Sequence, residues 1–436
     1  MKRISTPQAA ATVFTLVLAL AATTTLAAGA QERAITYMLW ATDPLEQESL
    51  HTRARAFEEE NPGVKIEALF TASASDQRTK LLTMHAAGVT PDLFVVSRPW
   101  QYELWALGMF LPLNDLIERH PELEFADIIN REQVTMDGQI IGIHHHGGGQ
   151  QLGFNAALFD AAGLARPDEL YRSGGWTHEA FIEAVRAITR DVDGDGEPDV
   201  FGTQSLSNGH NFLSILRTFG TTLLDPDTGA PRINTPQGIE AIRFVSDLAL
   251  VFNAVGGAAQ AGTQGMWNQC PRCVFRDWGR DDVFPFEWNI VPYPKGEYGH
   301  RNVGGHNFFA ISPTSRHPEL AFAFIVYELR PDVIERSLAE GRILTPVRAS
   351  TFRSPLMAER FPGLNMDVFL KAASTLDYLI PETVKVPGLN EAIAAADAQI
   401  RSVMAGETSP EQAALNIHNE IVLSILPRYA PATRGR

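Results

Sequence analysis

Apolar residues recur in two rhythms along the first third of the chain. Residues 35–40 and 64–70 are short apolar-rich runs that predict strands, and the run at 92–96 is continuous, as suits a strand buried on both faces. Between them Leu50, Ala54 and Phe57 return at helical spacing after Asp43-Pro44, and Asn61-Pro62-Gly63 ends that helix; residues 80–87 lie in a second one. This β-α-β-α-β order predicts a parallel sheet covered by helices. Residues 138–143 carry a further strand into His144-His145-His146-Gly147-Gly148-Gly149, where glycines permit backbone angles that other residues avoid, and here we expect a first crossing between two lobes. Beyond it, Thr177 caps a predicted helix carrying Phe181, Val185 and Ile188, and the mixed pattern continues to Trp288-Asn289-Ile290-Val291. Ala414, Ile417, Ile421 and Ile425 then repeat every three or four residues, as an amphipathic helix packing on a core does. A second lobe of the same kind is implied.

The N-terminus adds a destination. Lys2 and Arg3, an apolar stretch at 13–22 and the small residues Ala28-Gly29-Ala30 read as a signal peptide over residues 1–30, cleaved near Ala30. The apolar stretch is too short to span a bilayer and is broken by Thr23, Thr24 and Thr25; no cysteine follows it to carry a lipid anchor, so a soluble periplasmic protein is expected. Roughly 400 mature residues exceed what one core serves, which again predicts two domains. Cleavage removes two of 36 basic residues, leaving 34 against 51 acidic ones and a formal net charge of −17. That balance argues against nucleic acid as a partner, because neutralising phosphates takes clustered Lys and Arg.

Several clusters could carry chemistry. Cys270 and Cys273, in C-P-R-C, predict a local disulfide in an oxidising compartment; the following residues 274–279 show no helical periodicity that would place Cys270 at a helix start for redox catalysis. Asp191, Asp193, Asp195 and Asp199, with Gly196 at the sixth position, resemble the start of a calcium loop, but position twelve is Gly202, so a structural calcium is the most they suggest. His144 and His146 would share a face if the strand continued, and His210 or His306 could join them around a metal, yet no motif fixes ligand spacing; hydrogen bonding to a ligand at the crossing is favoured. Seven tryptophans lie mostly near strand ends or in loops. A tryptophan face stacks on the apolar face of a sugar ring while amides, carboxylates and histidines satisfy its hydroxyls. There is no G-x-S-x-G, no P-loop and no G-x-G-x-x-G after a strand. A secreted glycoside hydrolase stays open as an alternative, since the separation of paired carboxylates is spatial, and so does a metal-binding protein using the histidines.

Eight short pieces, in order, carry a resemblance: Ala56-Phe57-Glu58-Glu59-Glu60-Asn61-Pro62-Gly63-Val64-Lys65-Ile66, Thr90-Pro91-Asp92-Leu93, Gly108-Met109-Phe110-Leu111-Pro112-Leu113, Gly153-Phe154-Asn155-Ala156-Ala157-Leu158-Phe159, Gly175-Trp176-Thr177, Ile290-Val291-Pro292-Tyr293-Pro294-Lys295-Gly296, Val303-Gly304-Gly305 and Gly406-Glu407-Thr408-Ser409-Pro410-Glu411. Over nearly the whole mature chain they resemble the bacterial extracellular solute-binding proteins of the maltose-binding type. The resemblance implies an α/β, two-lobe type II periplasmic binding protein fold, each lobe a mostly parallel sheet flanked by helices. It implies three hinge crossings, with residues 31–146 and 295–332 in the N-terminal lobe and 147–294 and 333–436 in the C-terminal lobe. It further implies a non-enzymatic component of an ABC importer that takes up a sugar and hands it to a membrane permease; a monomer without a cofactor is the default expectation. Matched to the family's binding loops, the ligand residues would be Trp40, Asp43, Ser97, Arg98, Trp100, His146, Asn208, His210, Trp267, His306, Asn307 and Arg348. The histidine-glycine run and C-P-R-C depart from what is usual in that family.

Overall fold

The computed structural model describes residues 33–41, 44–146, 148–225, 228–304, 307–339, 345–374 and 388–429. The signal peptide, Asp43 and His306 lie outside them. Eleven strands follow in chain order among the described residues: β1 (Arg33–Trp40), β2 (Val64–Thr71), β3 (Leu93–Val96), β4 (Thr135–Met136), β5 (Gln139–Ile140), β6 (Ile143–His146), β7 (Gln151–Asn155), β8 (Phe201–Thr203), β9 (Gln264–Gln269), β10 (Trp288–Val291) and β11 (Asn307–Ile311). No helix among these residues is long and apolar enough to cross a membrane.

The first lobe is built on a sheet of order β2-β1-β3-β11-β6. β1 pairs in parallel with β2 and β3, while β11 runs antiparallel to both β3 and β6. The continuous run of β3 is buried at all four positions, because helices cover both faces of the sheet. On one face the helix Pro44–Glu60 lays down Leu50, Ala54 and Phe57 beside Phe324 and Ile325. On the other face Met38, Phe94, Phe308 and Ala310 pack under Leu81 and Leu104. Burying a side chain such as Phe57 contributes about 1.5–3 kcal/mol, so each face alone outweighs any single polar contact in the lobe.

The second lobe has a sheet of order β10-β7-β9-β8, in which β7 runs antiparallel to its neighbours and β8 parallel to β9. Thr177 caps the helix His178–Ile188 by accepting from the Ala180 N–H, and Phe181, Val185 and Ile188 are buried as the periodicity predicts. Ala414, Ile417, Ile421 and Ile425 are buried along the helix Pro410–Glu420 and the wider turn that follows it.

The lobe boundary after β10 differs from the sequence expectation. Trp176 Nε1 donates to the Pro292 carbonyl at 2.8 Å, Tyr293 and Val303 sit in the second-lobe core, and the Val303 N–H donates to Ser214 Oγ at 2.9 Å. Residues 295–303 therefore stay on the second lobe, and the chain crosses only after Gly304. That crossing is tied to the first by an antiparallel bridge between Gly149 and Gly304. The helix Pro331–Ala339 straddles the lobes, with Val333 in the first-lobe core and Leu338 among second-lobe residues. Val347 then returns to the first-lobe core, and the Ile129 N–H donates to its carbonyl at 2.9 Å.

Candidate functional site

In the first lobe β1, β3 and β6 all end on one edge, and antiparallel β11 begins there. That edge gathers Trp40, Ser97, Trp100, His146 and Asn307, five of the residues expected at a ligand. Carboxyl edges of parallel strands are where ligands bind in α/β sheets, because loops and helix starts meet there. Trp40 and Trp100 meet edge to face with ring centres 5.7 Å apart. Asn307 Nδ2 lies 2.7 Å from His146 Nε2, and His146 Nδ1 lies 2.9 Å from His145 Nδ1. An amide N–H donating to Nε2 leaves the imidazole proton on His146 Nδ1, which then donates to His145. The histidines continue β6 as a strand, and a register shift between Asn307 and Phe308 sets His145 out of the pairing.

All three histidines are held neutral at pH 7. Burial lowers His146 to about 4 and, with the positive charge of Arg98, His144 to about 3; burial, His146 and Arg53 push His145 well below the usual value. His144 Nδ1 is 3.0 Å from the Ile129 carbonyl, so this ring is bound to the framework of the lobe.

The second lobe presents amides. β8, β9 and β10 end toward the crossings, beside the start of β7, where Gln151 pairs with Gln269. Tyr293 Oη lies 2.9 Å from the side-chain oxygens of both Asn211 and Asn268, and Asn211 Nδ2 donates to Asn208 Oδ1 at 2.7 Å. A cavity of about 490 Å³ opens along the free edge of β9 past the end of β8, lined by Gln204, Ser205, Asn268, Gln269, Cys273 and Arg276 among others. A larger groove of about 730 Å³ lies beside the helix His178–Ile188 and Phe244, and none of its lining residues belongs to a crossing or to a strand end.

Three expected ligand residues are placed differently. Arg348 is 1 % exposed, and its Nε and Nη2 donate to the carbonyls of Leu329 and Leu123, each at 2.6 Å. Arg98 is equally buried and donates to the Gln133 carbonyl. Both guanidiniums are framework donors, because a buried cation needs partners wherever the fold puts it. Trp267 is 3 % exposed, packs over Gly153, stacks on Phe284 with ring centres 5.0 Å apart and donates to Gln269 Oε1 at 2.9 Å. It closes one side of the cavity as part of an aromatic core that also holds Trp288. Trp176, fully buried, is likewise core. Asn208 is exposed at the start of the helix Gly209–Thr218, which also carries His210 in its first turn. Asn211, Asn268, Tyr293 and Gln204 were not expected, and their only signal is the spacing of Asn208 and Asn211 on one helical turn.

Cys270 and Cys273 are joined with Cα atoms 5.0 Å apart. Contrary to the periodicity argument, a helix does follow: Cys270 caps Pro271–Asp277, with proline in its first turn. Asp191, Asp193 and Asp195 bring one carboxylate oxygen each to within 4.8 Å of one another. Asp199 instead accepts from the N–H groups of Val192 and Asp193, which closes the loop on itself.

The model of the bacterial extracellular solute-binding proteins matches residues 41–333. The chain belongs to this family. As a solute-binding protein it shares its fold with solved structures over nearly their whole length. The sugar-binding protein MalE from Xanthomonas citri aligns with a TM-score of 0.75 at 18 % identity, covering 91 % of this chain and 98 % of that one. An ABC substrate-binding protein from Listeria monocytogenes, in complex with cycloalternan, gives 0.72 at 18 % identity over 89 % and 98 %. The maltose-bound MalE3 of T. maritima gives 0.70 at 19 % over 89 % and 99 %. Comparison with the curated proteins finds no match. The two-lobe type II binding-protein fold is thus shown.

Proposed function

We propose that this protein captures a sugar in the cleft between its lobes and delivers it to the permease of an ABC importer, without turning it over and without a cofactor. The observation that carries this is the pairing of unlike walls at the crossings. The first lobe offers half-buried Trp40, backed by buried Trp100, with His146–Asn307, and the second offers exposed Asn208 and half-buried Asn268, held from behind by buried Asn211 and Tyr293. An apolar ring face needs the first kind of wall and a set of hydroxyls needs the second. Similar folds hold cycloalternan and maltose. Only a closed cleft lets both walls touch one ligand, so binding shifts the population toward closure. Export with cleavage near Ala30, residence in the periplasm and a monomeric state complete the proposal; the acidic chain suits no nucleic-acid role.

A thermal-shift panel of sugars, polyols, amino acids and divalent metals tests it, since a ligand selective for the native state raises the melting temperature. One or a few sugars should raise it, and a chromogenic glycoside should remain intact. A response to metals or amino acids alone, or turnover of the glycoside, would overturn it.

A further inference from the structure

The C-P-R-C segment takes no part in the capture described above. A bond between residues three apart closes a very short loop and removes little freedom from the unfolded chain. Core clusters lie on both faces of each sheet, so the fold has supports besides this bond. Its influence is local, and what lies nearby is the hinge. β9 ends at Gln269 beside Gln151, and Cys270 then caps the helix whose first residue is Pro271. Gly148, at φ +148°, sits so close that a Cβ there would lie 2.6 Å from the Pro271 ring. The next residue, Gly149, bridges to Gly304 of the second crossing. Farther along the helix, Phe275 packs with Phe369, and Arg276 and Asp277 form a wall of the cavity beside β9. Both cysteines are half-buried, and Cys273 faces that cavity.

We propose that Cys270–Cys273 is a site of reversible thiol–disulfide exchange with a dithiol donor of the export compartment, and that reduction weakens ligand capture. The second clause rests on the capture reading; the first does not. A donor thiolate attacks Cys273 Sγ from the cavity, the S–S bond breaks, and Cys270 leaves as a thiolate that takes a proton. The Cys273 N–H, which donates to Cys270 Sγ at 3.1 Å, holds the departing sulfur. The donor's second thiol then displaces Cys273, so two electrons and two protons pass to the protein and the donor becomes a disulfide. Without the bond the first turn of the helix loosens, and Pro271 no longer fixes the backbone at Gly148.

The full mature chain is treated with dithiothreitol under native conditions and its thiols are labelled with a maleimide, while amide hydrogen exchange is followed at residues 146–151. Two thiols should appear without unfolding, the exchange there should quicken, and the ligand-free melting temperature should move by only a few degrees. Whichever sugar stabilises the oxidised protein should bind about fivefold or more weakly to the reduced protein and to the Cys270→Ser/Cys273→Ser variant. By reciprocity, saturating sugar should oppose reduction by the same factor. A bond that opens only as the protein unfolds, or that opens with exchange and affinity unchanged, overturns the proposal. If no sugar binds even the oxidised protein, the capture reading falls, and the exchange at 146–151 alone decides for or against the thiol site.

Discussion

The two lobes finish their sheets differently where they face each other. At the first-lobe edge the polar groups are already engaged: Arg98 with the Gln133 carbonyl, His144 with Ile129, His146 with Asn307 and His145. At the second-lobe edge Gln204 and Ser205 are half-buried beside an open cavity, and Asn208 is exposed at the start of its helix. One edge is a frame of mostly buried groups, and the other keeps some of its amides and hydroxyls open to solvent. Substitutions should therefore separate: changes to the buried frame of the first lobe should act on stability, and changes to Trp40 or to the second-lobe amides on affinity.

The sharpest break comes from the first lobe's buried ion pair, in which Arg53 Nε donates to both carboxylate oxygens of Glu328 at 2.9 Å. Glu328→Ala leaves a guanidinium buried without its counter-charge and should lower the unfolding free energy by about 3–5 kcal/mol in a denaturant titration. A loss comparable to that of an exposed pair such as Arg55–Glu48 would show that the frame is looser than its geometry.

Acidification should strain the same lobe. His144 and His146 titrate at about 3 and 4 in the fold against 6.5 for a free histidine, so between these limits the unfolded chain binds protons that the folded chain refuses. Stability is then complete above pH 6.5 and falls as pH drops toward 4, by up to roughly 1.4 kcal/mol per pH unit for each such ring. His178 in the second lobe, lowered to about 4 by burial, adds one further ring. His144→Gln should flatten the melting temperature against pH; an unchanged slope would place the acid sensitivity elsewhere.

The second lobe answers to affinity. Asn268→Ala removes one of the two amide oxygens beside Tyr293 Oη and should weaken sugar binding by about 1–3 kcal/mol in calorimetry, with a smaller change in melting temperature. A stability loss without an affinity loss would make the amide row a frame like that of the first lobe. The smallest expected effect is that of a chelator: the Asp191–Asp199 loop is closed by its own N–H groups, as in Asp191 accepting from Gly194 and Gly196. Sugar-induced stabilisation should be unchanged in its presence, and a lost response would tie the cleft to a metal.

The framework was more legible in the sequence than the cleft. Leu50, Ala54 and Phe57, or Phe181, Val185 and Ile188, announce themselves because burial repeats at the helical period. The helix Pro271–Asp277 escaped that test, since two turns with adjacent Val274 and Phe275 buried show no period. Trp267 and Arg348 were expected at the ligand by matching to the family's binding loops, and a match of position says nothing of the burial that each side chain has in this fold. Asn211, Asn268 and Tyr293 went unseen, because they are far apart in sequence and meet only when β9 and the segment after β10 are folded side by side. The resemblance put a crossing before residue 295, whereas the contacts of Tyr293 and Val303 with the second-lobe core carry the chain along that lobe to Gly304.

The bridge between Gly149 and Gly304 bears on mechanics. Two separate tethers would let the lobes twist and slide as well as swing, whereas two tethers hydrogen-bonded to each other behave as a folded ribbon, stiff in its own plane and compliant across it. Together with the helix Pro331–Ala339, which also spans the lobes, this ribbon favours swinging of the angle between them over twist. A receptor that grips both lobes then needs no contact with the solute to sense it: the angle reports occupancy, and prying that angle open withdraws one wall from the solute in a single stroke.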